Sequence, residues 1–498
     1  MNGMPAPPRG PAAGVRGSRD TMQSSSNRPT RRTLLKAAGA TALTVPVAAA
    51  LASPAAAATT PASVGAAEET SYDVIVIGAG FAGITAAREL RAKGKRVLVL
   101  EARDRIGGRT WTGSFAGHLV ERGGTWVEST QPHLGAELTR YSLALEEDLP
   151  IDRVMLPTPT GPKAFTPEDG FGRIGTIMDR MFDGSRQYFE KPFEPLYRAD
   201  LLQSLDKLSL RDRLTQLALT PEEELLINGQ TAIYSGGAST DGGFTMFAHW
   251  WALAGHTNDG WGETQKYRIA KGTGALLNAM IADAKPKIML KSPVASVADT
   301  GSKVHVTLKS GATFSAPKAV IAVPVNVWPT IKFTPTLPPA LTTAGSQGIA
   351  VKRAVKLWIH AKKGAGRFYG QGVEGTSTPI PMLLPFKETS QGMLYVAFST
   401  DPTLDPNSIP QVKAAVKKLG VDLDIIGLHT HDWGKDPYAL GGWAFRKPKQ
   451  LTTLYPDVTQ PKGRLAFASG DIANGWSGYI DGAIESGLRA AQQTVAAI

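Results

Sequence analysis

The apolar and polar positions along the chain change period several times, and each change marks an expected element. Residues 74–77 (Val-Ile-Val-Ile) are apolar without alternation and too few for a buried helix, the pattern of a parallel strand covered on both faces. A helical period follows over 82–93 and stops at Gly94, and 96–100 form a second apolar run. Helical patterns return at 174–189, 209–217, 222–230 and 275–284. Strand-like runs are expected at 288–290, 294–297, 304–308, 319–323 and 465–468, and a closing helix at 480–497. Prolines are frequent up to Pro167, and the aromatics Tyr234, Phe244, Phe247, Trp250, Trp251 and Trp261 cluster before the chain returns to strand character.

Between the first strand and its helix, Gly78, Gly80 and Gly83 stand at G-x-G-x-x-G spacing. The first permits the tight turn, the second lets the backbone approach a pyrophosphate, and the third lets the helix pack close to the sheet. The helix then aims its free N–H groups and the positive end of its dipole at the phosphates. Glu101 closes the second strand, where a carboxylate accepts hydrogen bonds from a ribose diol and repels a 2′-phosphate. Strand, turn, helix and acid together predict an α/β fold with a dinucleotide site.

Composition narrows the chemistry. With 498 residues the chain exceeds what one core usually supports, so two domains are expected. No cysteine is present, which excludes disulfides, thiolate metal sites and a cysteinyl cofactor bond. No metal site is expected. The net charge of +11 is concentrated at the start: the first 58 residues hold +6 of it, so the remainder gives no case for nucleic acid. Residues 1–30 are rich in Pro, Gly, Ser and Arg and read as disordered, with Met22 open as an alternative start. Arg31-Arg32 ahead of Leu34-Leu35-Lys36, a short apolar stretch and Ala56-Ala57-Ala58 form the pattern of a twin-arginine signal peptide, with export to the periplasm or beyond as its consequence. The other reading, an uncleaved anchor, has fewer apolar residues than the roughly 20 a span needs. No other stretch is long enough for a stable membrane span. Residues 59–71 read as a linker.

Four separated blocks resemble the flavin-dependent amine oxidase family: 74–83, 101–110 with 123–127, 441–444, and 470–487. They cover almost the whole chain after the leader, in the family's order. The narrower likeness, through the signal, Gly124-Thr125-Trp126-Val127 and Asn474-Gly475-Trp476, is to the bacterial nicotine and pseudooxynicotine oxidase branch. The resemblance implies a two-domain fold built from discontinuous segments. A Rossmann-like FAD-binding domain takes 72–145, 264–350 and 441–498, and a mixed α+β substrate domain takes 146–263 and 351–440. FAD is the implied cofactor. Its implied contacts are Gly78, Gly80, Phe81, Ala82 and Gly83 at the turn and Glu101, Ala102, Arg103, Gly108 and Arg109 after the second strand. Gly124, Thr125, Trp126, Val294 at the adenine, Gly470, Asp471, and Ile480 under the flavin ring complete the set.

Two departures shape the expected pocket. Where mammalian-type members carry a flavin-bonded cysteine followed by tyrosine, this chain has Trp443 and Ala444. FAD is therefore expected to be noncovalent, with Tyr479 as one aromatic wall, Trp443 as the other surface, and Ala444 leaving room for substrate. The family's flavin-side lysine maps to Lys352 or Lys356; Lys352 is preferred because it leads the expected strand. The implied reaction is hydride transfer from an amine to the flavin, an imine that hydrolyses, and electrons passed to dioxygen or a periplasmic electron carrier. Assembly as a homodimer is left open. An L-amino-acid oxidase is an alternative, disfavoured because Val127 stands where those enzymes carry a carboxylate-binding arginine. A nonenzymatic flavin-binding protein is the other.

Overall fold

The apolar run at 74–77 becomes the middle strand of a five-stranded parallel sheet. The computed structural model describes residues 71–128, 131–364, 366–375 and 377–496; the expected leader, signal and most of the linker lie outside these residues. Strand order in the sheet is Lys287–Met289, Val97–Leu100, Val74–Ile77, Lys318–Ile321, Leu465–Phe467. All four pairings are parallel. Val74, Val76, Val97 and Val99 enter one core with Ile84, Leu276 and Ile484, whereas Ile75, Ile77, Leu98 and Leu100 enter another. Burial on both faces is why the strands lack polar alternation.

Three helices, Phe81–Ala92, Thr273–Ala284 and Ile480–Val495, cover the first face. The first and last approach so closely that a Cβ on Gly487 would lie 2.4 Å from the Ala82 carbonyl oxygen. A four-stranded sheet containing Val294–Asp299 and Val304–Leu308 contributes Val297 and Val306 to the core on the other face.

The second large layer is a seven-stranded sheet. Its order is Ile425–Asp432, Val355–Lys362, Gly392–Ser399, Met382–Glu388, Phe368–Gln371, Arg153–Leu156, Lys163–Phe165. Leu357, Ile359 and Tyr395 face a core sealed by the helix Ile409–Lys417. Trp358, Met382 and Val396 face the opposite way, into the core shared with the parallel sheet. Both sheets belong to one compact unit.

Several expected boundaries move for local reasons. The helix expected at 174–189 starts at Pro167, because Thr166 caps it and proline suits its first turn. It divides at Gly184, whose φ of 77° no α-helix adopts, and a short helix Ser185–Tyr188 follows. The proline-rich stretch contains two strands of the seven-stranded sheet, Arg153–Leu156 and Lys163–Phe165. The aromatic cluster includes a helix, Phe244–Leu253, with nine of its ten residues buried, Thr245 and His249 among them; buried all round, it lacks the one-sided period that marks a surface helix. No helix among the described residues is long and apolar enough to cross a membrane.

Candidate active site

The glycine turn opens one end of a cavity of about 500 Å³. A Cβ on Gly83 would lie 2.0 Å from the Gly78 carbonyl oxygen, so the helix meets the turn only because residue 83 has no side chain. A Cβ on Gly80 would meet nothing nearer than Gly108 Cα at 3.8 Å. Its open face lines the cavity. The helix behind it has no side-chain cap and no acidic residue in its first turn. Its leading N–H groups are left for an anion.

Glu101 is buried on the same wall. Its Oε2 accepts from Ala79 N at 2.8 Å and its Oε1 from Arg103 N at 2.9 Å. Each oxygen keeps a second lone pair and the residue lines the cavity, so the acid braces the turn with acceptor capacity to spare. Arg103 lines the cavity while its Nη2 donates to Asp436. Arg109 also lines it, with Nη1 2.8 Å from the Gly442 carbonyl oxygen and 2.6 Å from Asp471 Oδ1. The two arginines thus hold the far segment over the cleft.

The other end of the cavity is aromatic. Trp443 and Tyr479 line it together with Tyr234, Trp250, Phe398 and Trp126. Trp443 Nε1 donates to the Tyr234 carbonyl oxygen at 2.8 Å, and Trp250 Nε1 to that of Ser477 at 2.8 Å. Trp250 meets Tyr479 edge-on with centroids 5.5 Å apart. These two indole N–H groups are thereby spent on backbone and that of Trp126 on Asp148 Oδ2 at 2.6 Å, so none of the three is left for a ligand. Met382, Phe398 and Lys356 sit opposite one another on adjacent strands and form a single rung of the seven-stranded sheet.

The lysine in this rung corrects the expectation. Lys352 is exposed and does not line the cavity, because the strand begins at Val355 and leaves residue 352 in the preceding loop. Lys356 is buried, with Nζ 2.7 Å from the Gly123 carbonyl oxygen and bonded to Thr125 Oγ1. Burial pulls its ammonium down to about 7, against the partly restoring charge of Glu121. Two other expectations also change. Ala444 is fully buried, bridged to Ala350, and does not line the cavity. Asp471 likewise sits behind the wall, accepting from Val325 N at 2.9 Å and pairing with Arg109, while Gly470 lines the cavity.

Phe81, Ala82, Ala102, Gly108, Gly124, Thr125, Val294 and Ile480 all line the cavity with Gly78. Sequence patterning does not single out Tyr234, Trp250, Gln265, Met382 or Phe398 as site residues. Aromatic clustering marks Tyr234 and Trp250 in advance, but a buried helix produces it equally well, and Gln265, Met382 and Phe398 carry no such signal.

A model of the flavin containing amine oxidoreductase family matches residues 81–495. The chain belongs to the flavin-containing amine oxidoreductase family. A pyridine nucleotide-disulphide oxidoreductase model also matches residues 23–131. Nicotine dehydrogenase of Pseudomonas putida is 33% identical over 426 residues, covering 85% of this chain and 88% of that one. Pseudooxynicotine dehydrogenase of a Pseudomonas species is 34% identical over 428 residues, covering 85% and 86%. The solved structure of wild-type putrescine oxidase bound to putrescine shares the fold, with a TM-score of 0.73 at 22% identity, covering 86% of this chain and 99% of that one.

As a flavin-containing amine oxidoreductase, the chain has a cavity that suits FAD. The uncapped helix and Gly80 fit a pyrophosphate and Glu101 a ribose, and the cleft continues from there to the aromatic end.

Proposed function

We propose that this amine oxidoreductase oxidises a small, largely apolar amine, held against Trp443 and Tyr479, with FAD bound noncovalently. The carrying observation is the make-up of the aromatic end: among the described residues, the one acid lining the cavity is Glu101, at the opposite end. Nothing there pairs with a second ammonium, and no arginine stands there for a carboxylate. The names of the two Pseudomonas relatives support a nicotine-like amine as the first to test. The absence of cysteine from the chain, and of histidine from the described cavity lining, supports a noncovalent cofactor.

The flavin, when bound, supplies the two-electron acceptor for a hydride from the amine's α-carbon. The protein's part is orientation and exclusion of water. The ring faces of Trp443, Tyr479 and Phe398 hold the substrate in a water-poor space, which favours the neutral amine. Any positive charge on buried Lys356 favours it further, by opposing a second cation nearby. The released imine hydrolyses to a carbonyl compound and an amine. The electrons pass to dioxygen, giving hydrogen peroxide, or to a periplasmic electron carrier. The leader pattern supports export by the twin-arginine route, which carries proteins already folded around their cofactor.

Mixing purified protein anaerobically with a panel of amines and amino acids tests this reading. Bleaching of the flavin by apolar monoamines is expected. Bleaching confined to amino acids overturns it in favour of an L-amino-acid oxidase.

A further inference from the structure

The aromatic end contains one polar pair whose hydrogen-bonding capacity is not used up. Tyr234 and Gln265 both line the cavity, and the Gln265 amide bonds the Tyr234 hydroxyl. Among the described residues neither side chain has another recorded hydrogen-bond partner. A phenol has one O–H and a primary amide two N–H donors. Whichever way the amide faces, their mutual bond uses one donor and leaves two. Burial raises the Tyr234 phenol well above its ordinary range, so it stays a neutral donor.

The pair is also fixed in place. Trp443 Nε1 donates to the Tyr234 carbonyl oxygen at 2.8 Å. The Tyr234 ring meets Trp250 edge-on at 6.0 Å and Trp261 at 5.5 Å. The surrounding walls are otherwise mostly ring carbon and aliphatic side chain. Unspent donors in such surroundings are unfavourable until an acceptor meets them.

We propose that Tyr234 and Gln265 form a subsite for a neutral sp² acceptor, a pyridine-type nitrogen or a carbonyl oxygen, carried by the amine substrate away from its reacting nitrogen. This rests on the reading of the aromatic end as the substrate pocket. The acceptor is not the amine itself: forming C=N as hydride leaves the α-carbon needs the nitrogen lone pair, and a hydrogen bond to that lone pair withholds it. The pair therefore selects among apolar amines by a heteroatom that takes no part in the reaction.

The test uses two amines that differ at one ring position, 1-methyl-2-(pyridin-3-yl)pyrrolidine and 1-methyl-2-phenylpyrrolidine. Anaerobic flavin reduction is followed against concentration in the wild type, Tyr234→Phe, Gln265→Leu and the double variant. The wild type is expected to prefer the pyridyl amine by about tenfold, the size of one hydrogen bond, and through half-saturation rather than the limiting rate. That ratio falls toward one in the double variant and part of the way in each single variant. Because a ratio is read within each protein, a general loss of activity does not imitate the effect. An unchanged ratio in the variants, or none in the wild type, overturns the subsite and leaves the amine reading standing. Failure of every amine to reduce the flavin overturns both.

Discussion

Arg103, two residues past the acid that ends the second parallel strand, is ion-paired to Asp436, 333 positions further along the chain. Both side chains are largely buried, and the Asp436 carboxylate also accepts from Tyr438 N at 2.9 Å and faces His431 Nε2 at 3.2 Å. Burial alone would raise this carboxyl; His431 and Arg103 more than reverse that and hold it at about 2. Pro437, Tyr438 and Leu440, on the same segment, line the cavity, and the Tyr438 ring lies 5.4 Å from the Arg103 guanidinium.

Asp436→Asn is therefore expected to speed flavin release. Removing one member of a buried pair strands the other charge, an effect of roughly 3 kcal/mol. The check is the rate at which flavin fluorescence appears on dilution. A release rate within twofold of wild type would show that the pair does not hold the segment closed.

The first and third motif glycines differ from the second in what they meet. Gly80→Ala places its methyl in open cavity, so the fold is kept and flavin occupancy falls at least tenfold. Gly83→Ala drives a Cβ into the Gly78 carbonyl and gives little folded protein. Circular dichroism beside the ratio of flavin to protein absorbance separates the two outcomes.

Lys356→Met is expected to slow flavin reoxidation at least tenfold and reduction less, whereas Lys352→Met leaves both rates within twofold of wild type. Stability gives an independent measure. Below about pH 7 both the folded and unfolded states hold the Lys356 proton, and the folded state bears the full cost of a buried ammonium. Between about 7 and the ordinary 10.5, the unfolded state binds more protons, so wild-type stability rises with pH relative to Lys356→Met. Melting temperatures of the two proteins across that window test the sign.

Trp443→Ala opens the aromatic end and is expected to shift amine selectivity with the flavin retained. Ala444→Tyr, despite standing next to it, adds a ring to a fully buried position away from the cavity. It should destabilise by about 1–3 kcal/mol or more. A selectivity change in Ala444→Tyr with unchanged melting temperature would contradict the placement of residue 444.

The dinucleotide end was legible because its information is local. Three glycines, a short apolar run and an acid lie within 28 residues, and each acts on its near neighbours. The aromatic end was not, because its walls come from a helix near 230, another near 250, four strands that carry Trp126, Lys356, Met382 and Phe398, and the loops that carry Trp443 and Tyr479. Lys356 shows the reason most clearly. Even spacing puts Lys352 and Lys356 on one face only if both lie in the strand, and where that strand begins is set by pairing of Val355 with Ser399 and Asp432. Residues 352 and 356 alone hold no record of that pairing. Ala444 fails similarly: its bridge to Ala350 turns it away from the cavity its neighbour lines.

The parallel sheet has residues 74–77 at its centre and 465–467 at its rim, and the last helix lies against the first. A nascent chain therefore carries its glycine turn long before it has the far wall or the closing helix. The cavity has both of its walls only once these distant segments meet, because Gly470, Tyr479 and Ile480 line it beside Gly78 and Gly80.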